Sequence, residues 1–367
     1  MNKMIVLSCV KDDCYSNNAE HFLAKHPEEL KAGVEKFGQM NGADRFAVLL
    51  PEGAADPGLG FEVKTGILTP TADNPYSCQQ QFLGKLPRPM IQDDFAAVYE
   101  DREIAVILPE NAFWLGKDDF SIKHITINGE VKEVAVGSKL GDSVDLADAK
   151  GVLLGGLKGR IVSPTEAAEM EVTVDELFNS VTVIPNSACI VDFMIKHMAK
   201  AWEFSCGKCV MCRESTLQFK TILEEMVSGK AKGSDPELLT EVGELVKVGA
   251  YCPYGQGMPQ PMIDALSLFA SEFEAHIKRK TCPADVCFQK GATYVILPDL
   301  CTGCTDCADE CDEMAIEGKK GFIHMIDQDM CESCGKCVDA CDEDAIVIVE
   351  GKMPKLPKKL TKVGRFK

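Results

Sequence analysis

Two copies of one cysteine pattern, thirty residues apart, constrain this chain more than any other feature. Each copy has the spacing Cys-x2-Cys-x2-Cys-x3-Cys, and together they comprise Cys301, Cys304, Cys307, Cys311, Cys331, Cys334, Cys337 and Cys341. Three closely spaced thiolates can hold three corners of a [4Fe–4S] cube, while the fourth ligand comes from elsewhere in the chain. Neither zinc sites nor disulfides use this eight-cysteine pattern. The repeat therefore predicts a two-cluster domain over residues 294–350.

The ligands of the two cubes are expected to cross between the copies, because the fourth cysteine of each run in two-cluster ferredoxins ligates the other cluster. One predicted set is Cys301, Cys304, Cys307 and Cys341, and the other is Cys331, Cys334, Cys337 and Cys311. Both runs end in Cys-Asp, at Asp312 and Asp342, where bacterial ferredoxins carry Cys-Pro. Proline is not a ligand, so we expect cluster binding to survive this difference.

Acidic residues crowd this domain, with 14 Asp/Glu against 3 Lys/Arg over residues 294–349. Negative charge near a cluster disfavours the added electron and lowers the reduction potential. We therefore expect low-potential clusters, although the acids could instead form a solvated face or a docking patch. The following segment, residues 351–367, holds seven Lys/Arg and no acid, and it is expected to be disordered or to act as a docking arm.

A third cysteine loop occurs upstream, with Cys206, Cys209 and Cys212 at the start of a helical segment. Cys252 follows after one helical hairpin, and folding the hairpin back would bring it to the loop as the fourth corner. A helix N-terminus favours an anionic cluster. These four cysteines predict a third [4Fe–4S] cluster inside a helical bundle over residues 186–280.

The overall composition supports metal sites rather than disulfides. No export signal or membrane span is evident, so the chain is expected to be cytoplasmic, and there 18 cysteines indicate metal binding. Such cluster-rich proteins are oxygen-sensitive, so an anaerobic host is plausible. The net charge of -18 argues against nucleic acid or an anionic membrane as a partner.

The first half of the chain contains two further predicted modules. Residues 1–118 alternate strands and helices; the expected strands are Ile5–Cys9, Phe46–Leu50 and Ile104–Leu108, with a helix over Leu30–Met40 and a long loop over Pro51–Thr71. Residues 119–185 look β-rich, and Asn128-Gly129 predicts a type I′ hairpin. The expected fold class is therefore α+β and multidomain.

The segment Ser205-Cys-Gly-Lys-Cys-Val-Met-Cys-Arg-Glu214, with its distant fourth cysteine, resembles the flavin- and NADH-binding subunit of respiratory complex I. It is also similar to the β subunits of electron-bifurcating [FeFe] hydrogenases, which carry a C-terminal two-cluster ferredoxin domain. The resemblance covers roughly residues 120–349. It implies a β-grasp (SLBB-like) module over residues 119–185 and a degenerate flavin-type α/β domain over residues 1–118.

The resemblance fails in the N-terminal domain. The family binds FMN with a glycine-rich Gly-Arg-Gly-Gly-Ala-Gly-Phe loop, whereas the nearest run here is Pro57-Gly-Leu-Gly-Phe61 with no basic partner. The family's glutamate-rich NADH loop is also missing. Phosphate binding needs close backbone approach, which glycines provide. We therefore expect that FMN and NAD do not bind to this chain.

Six cysteines lie outside the cluster motifs. Cys189, Cys282 and Cys287 could join His276 in a Cys3His zinc site across a linker at residues 281–293, an arrangement that the hydrogenase relatives resemble; ordinary buried cysteines are the alternative. Cys9, Cys14 and Cys78 lack a fourth partner for a [2Fe–2S] cluster, so we interpret them as buried or reactive thiols.

These features predict an electron-transfer relay subunit of a multi-subunit, NAD(P)H- or ferredoxin-linked oxidoreductase, with flavin-based electron bifurcation as its setting. Electrons would pass between a partner flavoprotein subunit and ferredoxin or another redox subunit, through the three [4Fe–4S] clusters. No side chain need act as acid, base or nucleophile. Two alternatives stay open: a complete NADH dehydrogenase with a diverged FMN site, and a free ferredoxin-like shuttle.

Overall fold

The computed structural model describes residues 2–11, 14–89, 96–287, 293–328, 330–331, 333–349, 354–357 and 359–366. The chain divides into two compact units, Met1–Phe288 and Gln289–Lys367. No helix in the described part of the chain is long and apolar enough to cross a membrane. The finer division into four domains stays a prediction.

A five-stranded sheet opens the first unit, in the order β3-β2-β1-β5-β4. Its strands are β1 (Lys3–Ser8), β2 (Ala43–Pro51), β3 (Glu62–Gly66), β4 (Val98–Tyr99) and β5 (Arg102–Ile107). All neighbours pair in parallel except β4 with β5. The three expected strands are present as β1, β2 and β5. The expected loop over Pro51–Thr71 is wrong in part, because β3 forms there by pairing along β2, a contact that local composition does not reveal.

Helices cover both faces of this sheet: α1 (Asn18–Lys25), α2 (Pro27–Asn41), α3 (Pro75–Phe82) and α4 (Pro109–Lys117). Ile5 and Leu7 of β1 pack with α1, α2 and α4, whereas Met4 and Val6 pack on the α3 side. Burial on both faces explains the continuous apolar run of β1. Helices α2 and α4 are in close contact at Gly33, where an added Cβ would lie 1.7 Å from the Ala112 carbonyl oxygen.

A second sheet follows in the same unit, in the order β7-β6-β10-β8-β9. It comprises β6 (Ile122–Ile127), β7 (Glu130–Ala135), β8 (Ala149–Leu154), β9 (Arg160–Val162) and β10 (Ser180–Pro185), with α5 (Pro164–Glu169) against it. The predicted hairpin is present: β6 and β7 pair antiparallel around Asn128 and Gly129, whose φ angles are 49° and 91°. Positive φ at both positions is what a type I′ turn requires. Its identification as a β-grasp module stays a prediction.

The rest of the first unit is helical, as the 3.6-residue period predicted. Its helices are α6 (Ile190–Glu203), α7 (Val210–Val227), α8 (Asp235–Gly249), α9 (Pro253–Gly257), α10 (Gln260–Leu268) and α11 (Ala270–Glu274). A π-helical turn, Ala275–Arg279, ends the series. One core of α6, α7, α8 and α10 side chains contains Cys209, Cys212 and Cys252. The bundle therefore buries three of the four predicted third-cluster ligands.

The second unit is small and pseudo-repeated. Its elements are β11 (Tyr294–Ile296), α12 (Asp306–Asp309), β12 (Ile316–Glu317), β13 (Met325–Ile326), α13 (Lys336–Asp339) and β14 (Ile346–Ile348). Strand β11 pairs with β14 and β12 with β13, both antiparallel. The single-turn helices α12 and α13 occupy equivalent places in the two cysteine runs.

The expectation of a disordered basic tail is wrong for part of that segment. The Ile323 amide donates to the Thr361 carbonyl at 2.9 Å, and the Val363 amide donates to the Gly321 carbonyl at 3.2 Å. Phe366 packs against the core of the second unit. Backbone pairing and one apolar anchor order these residues despite their positive charge.

Candidate metal centres

The first candidate centre lies where α6 leads into α7. Cys209 is the N-cap residue of α7, so the cysteine loop ends at a helix N-terminus, as the sequence predicted. The loop turns at Gly207, which has φ 67°. The Ser205 hydroxyl lies 3.5 Å from the Cys212 sulfur and accepts a hydrogen bond from the Gly207 amide at 3.3 Å. Arg213 also donates to the Gly207 carbonyl at 2.9 Å, which secures the loop on the helix.

Cys252 reaches this loop from the far end of the α7–α8 hairpin. It is the N-cap residue of α9, and the same short helix presents Gly255 to Cys212. An added Cβ at Gly255 would lie 2.8 Å from the Ala250 side chain and 3.4 Å from the Cys212 Cβ. The missing side chain at Gly255 is thus what lets the Cys252 segment approach the loop closely.

The four thiols of this centre influence one another. Burial raises the pKa of Cys212 to about 11, and the charges of Cys209, Cys252 and Cys206 add to this effect. Burial also raises the pKa of Cys252, again with Cys206 and Cys209 contributing. Four thiols in such mutual reach, mostly buried and beside a helix N-terminus, suit a metal cluster that takes up their negative charge.

In the second unit, Cys307 lies on α12 and Cys337 lies on α13. The cysteines near each of them can be compared with the crossed ligand sets that the sequence predicts. Burial raises the pKa of Cys307 to about 12, with Cys301, Cys304, Cys341 and Cys337 adding. Three of these four cysteines belong to the predicted first set with Cys307, and Cys341 comes from the other run. The structure therefore brings the fourth cysteine of the second run to the first loop.

The second set shows the same crossing. Burial raises the pKa of Cys337, with Cys331, Cys334 and Cys311 adding. A cavity is lined by these same four cysteines, Cys311, Cys331, Cys334 and Cys337. All four predicted ligands of the second cluster thus lie on the wall of one cavity. This arrangement fits a [4Fe–4S] cluster, which needs four thiolates from different directions.

Glycines and strained residues shape these two loops. Gly303 has φ 73°, and an added Cβ would lie 2.7 Å from the Phe322 carbonyl oxygen. Thr305 and Ser333 also have positive φ, at 95° and 57°. Such backbone conformations are uncommon for residues other than glycine. They turn the chain sharply within each cysteine loop, where Cys301, Cys307 and Cys337 are buried and Cys304 and Cys334 are exposed.

The third kind of centre contains the four residues predicted as a zinc site. One ligand atom from each of Cys189, His276, Cys282 and Cys287 lies within 4.8 Å of the others. The Cys189 sulfur is 3.3 Å from His276 Nε2 and 3.4 Å from the Cys287 sulfur. His276 lies on the π-helical turn, and its Nδ1 is 2.8 Å from the Glu272 carbonyl oxygen. Such a carbonyl partner orients metal-binding histidines.

The pKa values of the Cys189 and Cys282 thiols in this cluster shift in opposite directions. Burial raises the pKa of Cys189 to about 11. Burial also acts on Cys282, but the backbone amides of Cys287, Val286 and Ala284 outweigh it and lower the pKa of that thiol. A thiolate at Cys282 is the form that binds a metal ion.

The remaining cysteines are placed apart from these centres. Cys9 and Cys78 are buried in the N-terminal sheet layers, on opposite faces, and burial raises the pKa of each thiol. Cys14 is exposed. A different group, His21, His26 and His124, also clusters. Sequence reasoning missed it because the three histidines have no motif spacing and come from two separate segments.

The carboxyl ends of β1 and β5 open onto a cavity lined by Lys11, Leu108, Glu110 and Glu176, among others. Ion pairs already involve Lys11, Glu110 and Glu176. Lys11 lies 2.7 Å from Glu176, and Lys123 lies 2.6 Å from Glu110. Burial opposes ionisation of Glu176, but Lys11 and Lys158 prevail and lower its pKa to about 2. The cavity wall thus keeps a carboxylate charge.

Known proteins resemble the chain in its cluster regions. The family model of the NADH-ubiquinone oxidoreductase-F iron-sulfur binding region matches residues 192–276, which contain Cys206, Cys209, Cys212 and Cys252. The model of the 4Fe-4S binding domain matches residues 324–347.

Curated relatives support the same assignment. The NADP-reducing hydrogenase subunit HndC of Solidesulfovibrio fructosivorans is 36% identical over 138 residues, which are 38% of this chain and 28% of the relative. The F subunit of the NADH-quinone oxidoreductase of Streptomyces coelicolor is 35% identical over 99 residues, 27% of this chain and 22% of the relative. The NAD-reducing hydrogenase HoxS subunit alpha of Cupriavidus necator is 26% identical over 229 residues, 59% of this chain and 37% of the relative. The matches therefore span less than two fifths of the length of each of these relatives.

A solved structure shares the fold. The crystal structure of an NAD+-reducing [NiFe]-hydrogenase in its H2-reduced state superposes with a TM-score of 0.66 and 19% identity, covering 77% of this chain and 58% of that chain. The resemblance carried by the cysteine motifs is thus confirmed: the chain is a relative of the F subunits of NADH-quinone oxidoreductases and of NAD-reducing hydrogenase subunits, and it contains an F-type iron–sulfur binding region and a 4Fe-4S binding domain.

Proposed function

We propose that this chain is an electron-transfer relay subunit of a multi-subunit NAD(P)H- or ferredoxin-linked oxidoreductase, with flavin-based bifurcation as its setting. The observation that supports the proposal is that Cys212, Cys307 and Cys337 each lie near cysteines from distant parts of the chain, as three sets of four ligands would require. A bound [4Fe–4S] cluster supplies one-electron transfer. The partners would be a flavoprotein subunit and ferredoxin or another redox subunit.

The chain's own residues serve to hold and shield the clusters. The first set is embedded in the apolar core of the helical bundle, which limits water at the sulfurs. The Ser205 hydroxyl lies within hydrogen-bonding range of Cys212 and can donate to its thiolate. Low polarity and few hydrogen bonds stabilise the less charged state of a cluster, so these groups adjust its potential.

Two observations favour a relay over a complete dehydrogenase. Gly58 and Gly60 have φ angles of 73° and 76°, so the turn itself requires glycine there. The Gly58 amide already donates to the Asp56 carboxylate at 2.9 Å, where a flavin phosphate would be repelled.

The test uses the full chain with its clusters reconstituted anaerobically. NADH or NADPH is added with and without FMN while cluster absorbance is followed, and dithionite serves as the positive control. If the chain is a relay, dithionite should bleach the cluster absorbance and neither NADH nor NADPH should do so. Three clusters also require an iron content of about twelve atoms per chain. Bleaching by NADH would show that this subunit is itself a dehydrogenase and would overturn the proposal.

Low cluster potentials are a separate part of the proposal. The expectation of low potentials rests on the acidic composition of residues 294–349. One of these acids, Asp312, is paired with the cation of Lys336. An EPR-monitored redox titration of the reconstituted chain checks it. Clusters that are already reduced at the potential of mild reductants such as ascorbate would contradict it.

We also propose that Cys189, His276, Cys282 and Cys287 hold a structural zinc ion. The four ligand types and their close approach match a tetrahedral structural site. Zinc analysis of the purified chain and of Cys282→Ser/Cys287→Ser should show the loss of one equivalent in the variant. Equal zinc content in both proteins would refute the assignment.

A further inference from the structure

Three of the six histidines of the chain meet at one place in the first unit. His21 lies on α1, His26 joins α1 to α2, and His124 is in the middle of β6. One ring nitrogen of each lies within 4.8 Å of one ring nitrogen of each of the others. None of the three belongs to the cluster sites or to the Cys3His site.

The surrounding contacts hold the three rings together. The Asn18 side-chain amide donates to the His124 carbonyl at 2.9 Å, and the Thr126 hydroxyl donates to Asn18 Oδ1 at 2.8 Å. Helix α1 is thereby attached to β6. Phe22 and Phe113 pack against the rings, with Phe22 4.7 Å from His124 and Phe113 4.8 Å from His26 between centroids. The rings are therefore confined to one small volume.

Three ring nitrogens of this group lack hydrogen-bond partners within the described residues. His124 is fully buried, and neither of its ring nitrogens makes a hydrogen bond; His21 Nε2 is also buried without one. A buried polar atom without a partner costs about 1–3 kcal/mol. The lone pair on a neutral imidazole is a metal ligand, so a bound cation would remove this cost at one nitrogen of each ring.

Burial also keeps two of these rings, His21 and His124, in the form that binds metal ions. Desolvation lowers the pKa of His124 to about 4. Desolvation, followed by the charges of Lys25 and His26, lowers the pKa of His21. Both imidazoles are accordingly neutral near pH 7, so no proton has to be displaced from them on metal binding.

A carboxylate stands beside the three rings. Glu133 of β7 is the residue paired directly with His124 in the β6–β7 ladder. Its Oε1 lies 3.6 Å from His124 Nε2, and its side chain is 63% exposed, so it can turn toward an incoming ion. A second carboxylate, on Glu29, lies 3.8 Å from His26 Nδ1 and can accept that N–H as an outer partner.

We propose that His21, His26 and His124, with Glu133 as fourth ligand, form a binding site for one zinc-class transition-metal ion. Three nitrogens on tetrahedral zinc lie about 3.3 Å apart, given Zn–N distances of about 2.0–2.1 Å. The nitrogens lie within 4.8 Å of one another, so they must come closer on binding, and rotation of the two partly exposed rings, His21 and His26, would allow this. Imidazole with carboxylate suits zinc, and the ion would join the α1–α2 corner to the β6–β7 hairpin.

The test is zinc binding by the full chain with its clusters in place. Protein treated with a mild chelator is titrated anaerobically with ZnCl2 against a chromophoric zinc indicator. The main variant is His21→Gln/His26→Gln, since both side chains are partly exposed and glutamine keeps their polarity. The matched controls are Glu28→Gln, an exposed residue of α2, and Cys282→Ser/Cys287→Ser, which removes the other candidate zinc site.

The expected result is one zinc equivalent that the cysteine variant keeps and the histidine variant loses, with at least about a 100-fold drop in affinity. Zinc K-edge absorption spectra of the cysteine variant should then show nitrogen and oxygen ligands without sulfur. Glu133→Gln should weaken binding without abolishing it. If the histidine variant binds zinc as the native chain does, the three histidines are only packed aromatic rings. That outcome overturns the proposal.

Discussion

Single residues decide whether the cysteines of this protein can converge. Motif spacing places Cys206, Cys209 and Cys212 on one loop, but Cys252 arrives only because the chain beside it has no side chain at Gly255. Close packing of this kind tolerates little added volume. The site therefore depends on a residue that is not itself a ligand.

Gly255→Ala should disturb the first cluster site. The added methyl group would lie 2.8 Å from the Ala250 side chain and 3.4 Å from Cys212, so the Cys252 segment must shift outward. We expect a loss of about 1–3 kcal/mol in the free energy of unfolding and less iron retained at that site. Denaturant unfolding and iron analysis check this, with Gly233→Ala as control because an added Cβ there meets nothing. Equal effects in both variants would contradict the prediction.

Acid should weaken the fold through His197. Burial lowers the pKa of this fully buried ring to about 4, although the Leu157 backbone opposes the shift, and the Tyr15 hydroxyl lies 2.9 Å from its Nδ1. The unfolded chain takes up a proton near pH 6.5 that the folded chain refuses until about pH 4. The contribution of His197 to stability is therefore complete above pH 6.5 and is lost as the pH falls toward 4, by roughly 3 kcal/mol.

The measurement is urea unfolding of the zinc-free chain at several pH values between 7.5 and 5, with cluster absorbance followed in parallel. His197→Gln should show a shallower decrease in stability with falling pH than the native chain. Some decrease should remain, because burial also lowers the pKa of His124. Parallel pH profiles for the two proteins would argue against this role of His197.

Helices and strands of the second unit position the cysteines of its two predicted ligand sets. Helices α12 and α13 carry Cys307 and Cys337, and the pairing of β11 with β14 closes the two runs against each other. Cys341 thereby reaches the first loop and Cys311 the second. Crossed ligation would couple the two halves, so that neither run could hold a complete cube alone.

Pairs of substitutions test the crossing. Cys301→Ser should remove one cluster, about four irons per chain. Adding Cys341→Ser should cost no further iron, because both residues belong to the same set, whereas adding Cys311→Ser should remove the second cluster as well. Iron analysis with EPR of the dithionite-reduced proteins distinguishes these outcomes. The reverse pattern, with Cys311 silent and Cys341 additive, would show that each run binds its own cube.

The whole molecule consists of two compact units divided at residues 288 and 289. Each unit has its own core and its own candidate cysteine sets. Domains with separate cores are expected to fold independently. The cluster-binding capacity of the chain should therefore divide between the two parts.

Truncation at the boundary checks this division. A chain of residues 1–287 should fold cooperatively and retain about four irons, and residues 293–367 should retain about eight after reconstitution. Circular dichroism, iron analysis and EPR of both pieces provide the measurement. A first piece that binds no iron would show that its cluster site needs the second unit.

The sequence by itself determined the cluster motifs, the helical periodicity of the bundle and the Asn128-Gly129 hairpin. These features depend on neighbours a few residues apart, where spacing and turn chemistry dictate local geometry. It also pointed to F-type relatives, because a cluster loop leaves little freedom in residue type.

Only the tertiary structure decided which distant groups meet. Strand β3 formed within an expected loop because β2 offered it a pairing edge, and the basic tail gained order by pairing with residues 321–323. The meeting of His21, His26 and His124 depends on helix α1 packing on strand β6. No local pattern encodes such a contact, since it arises from burial of surfaces that are more than a hundred residues apart in the chain.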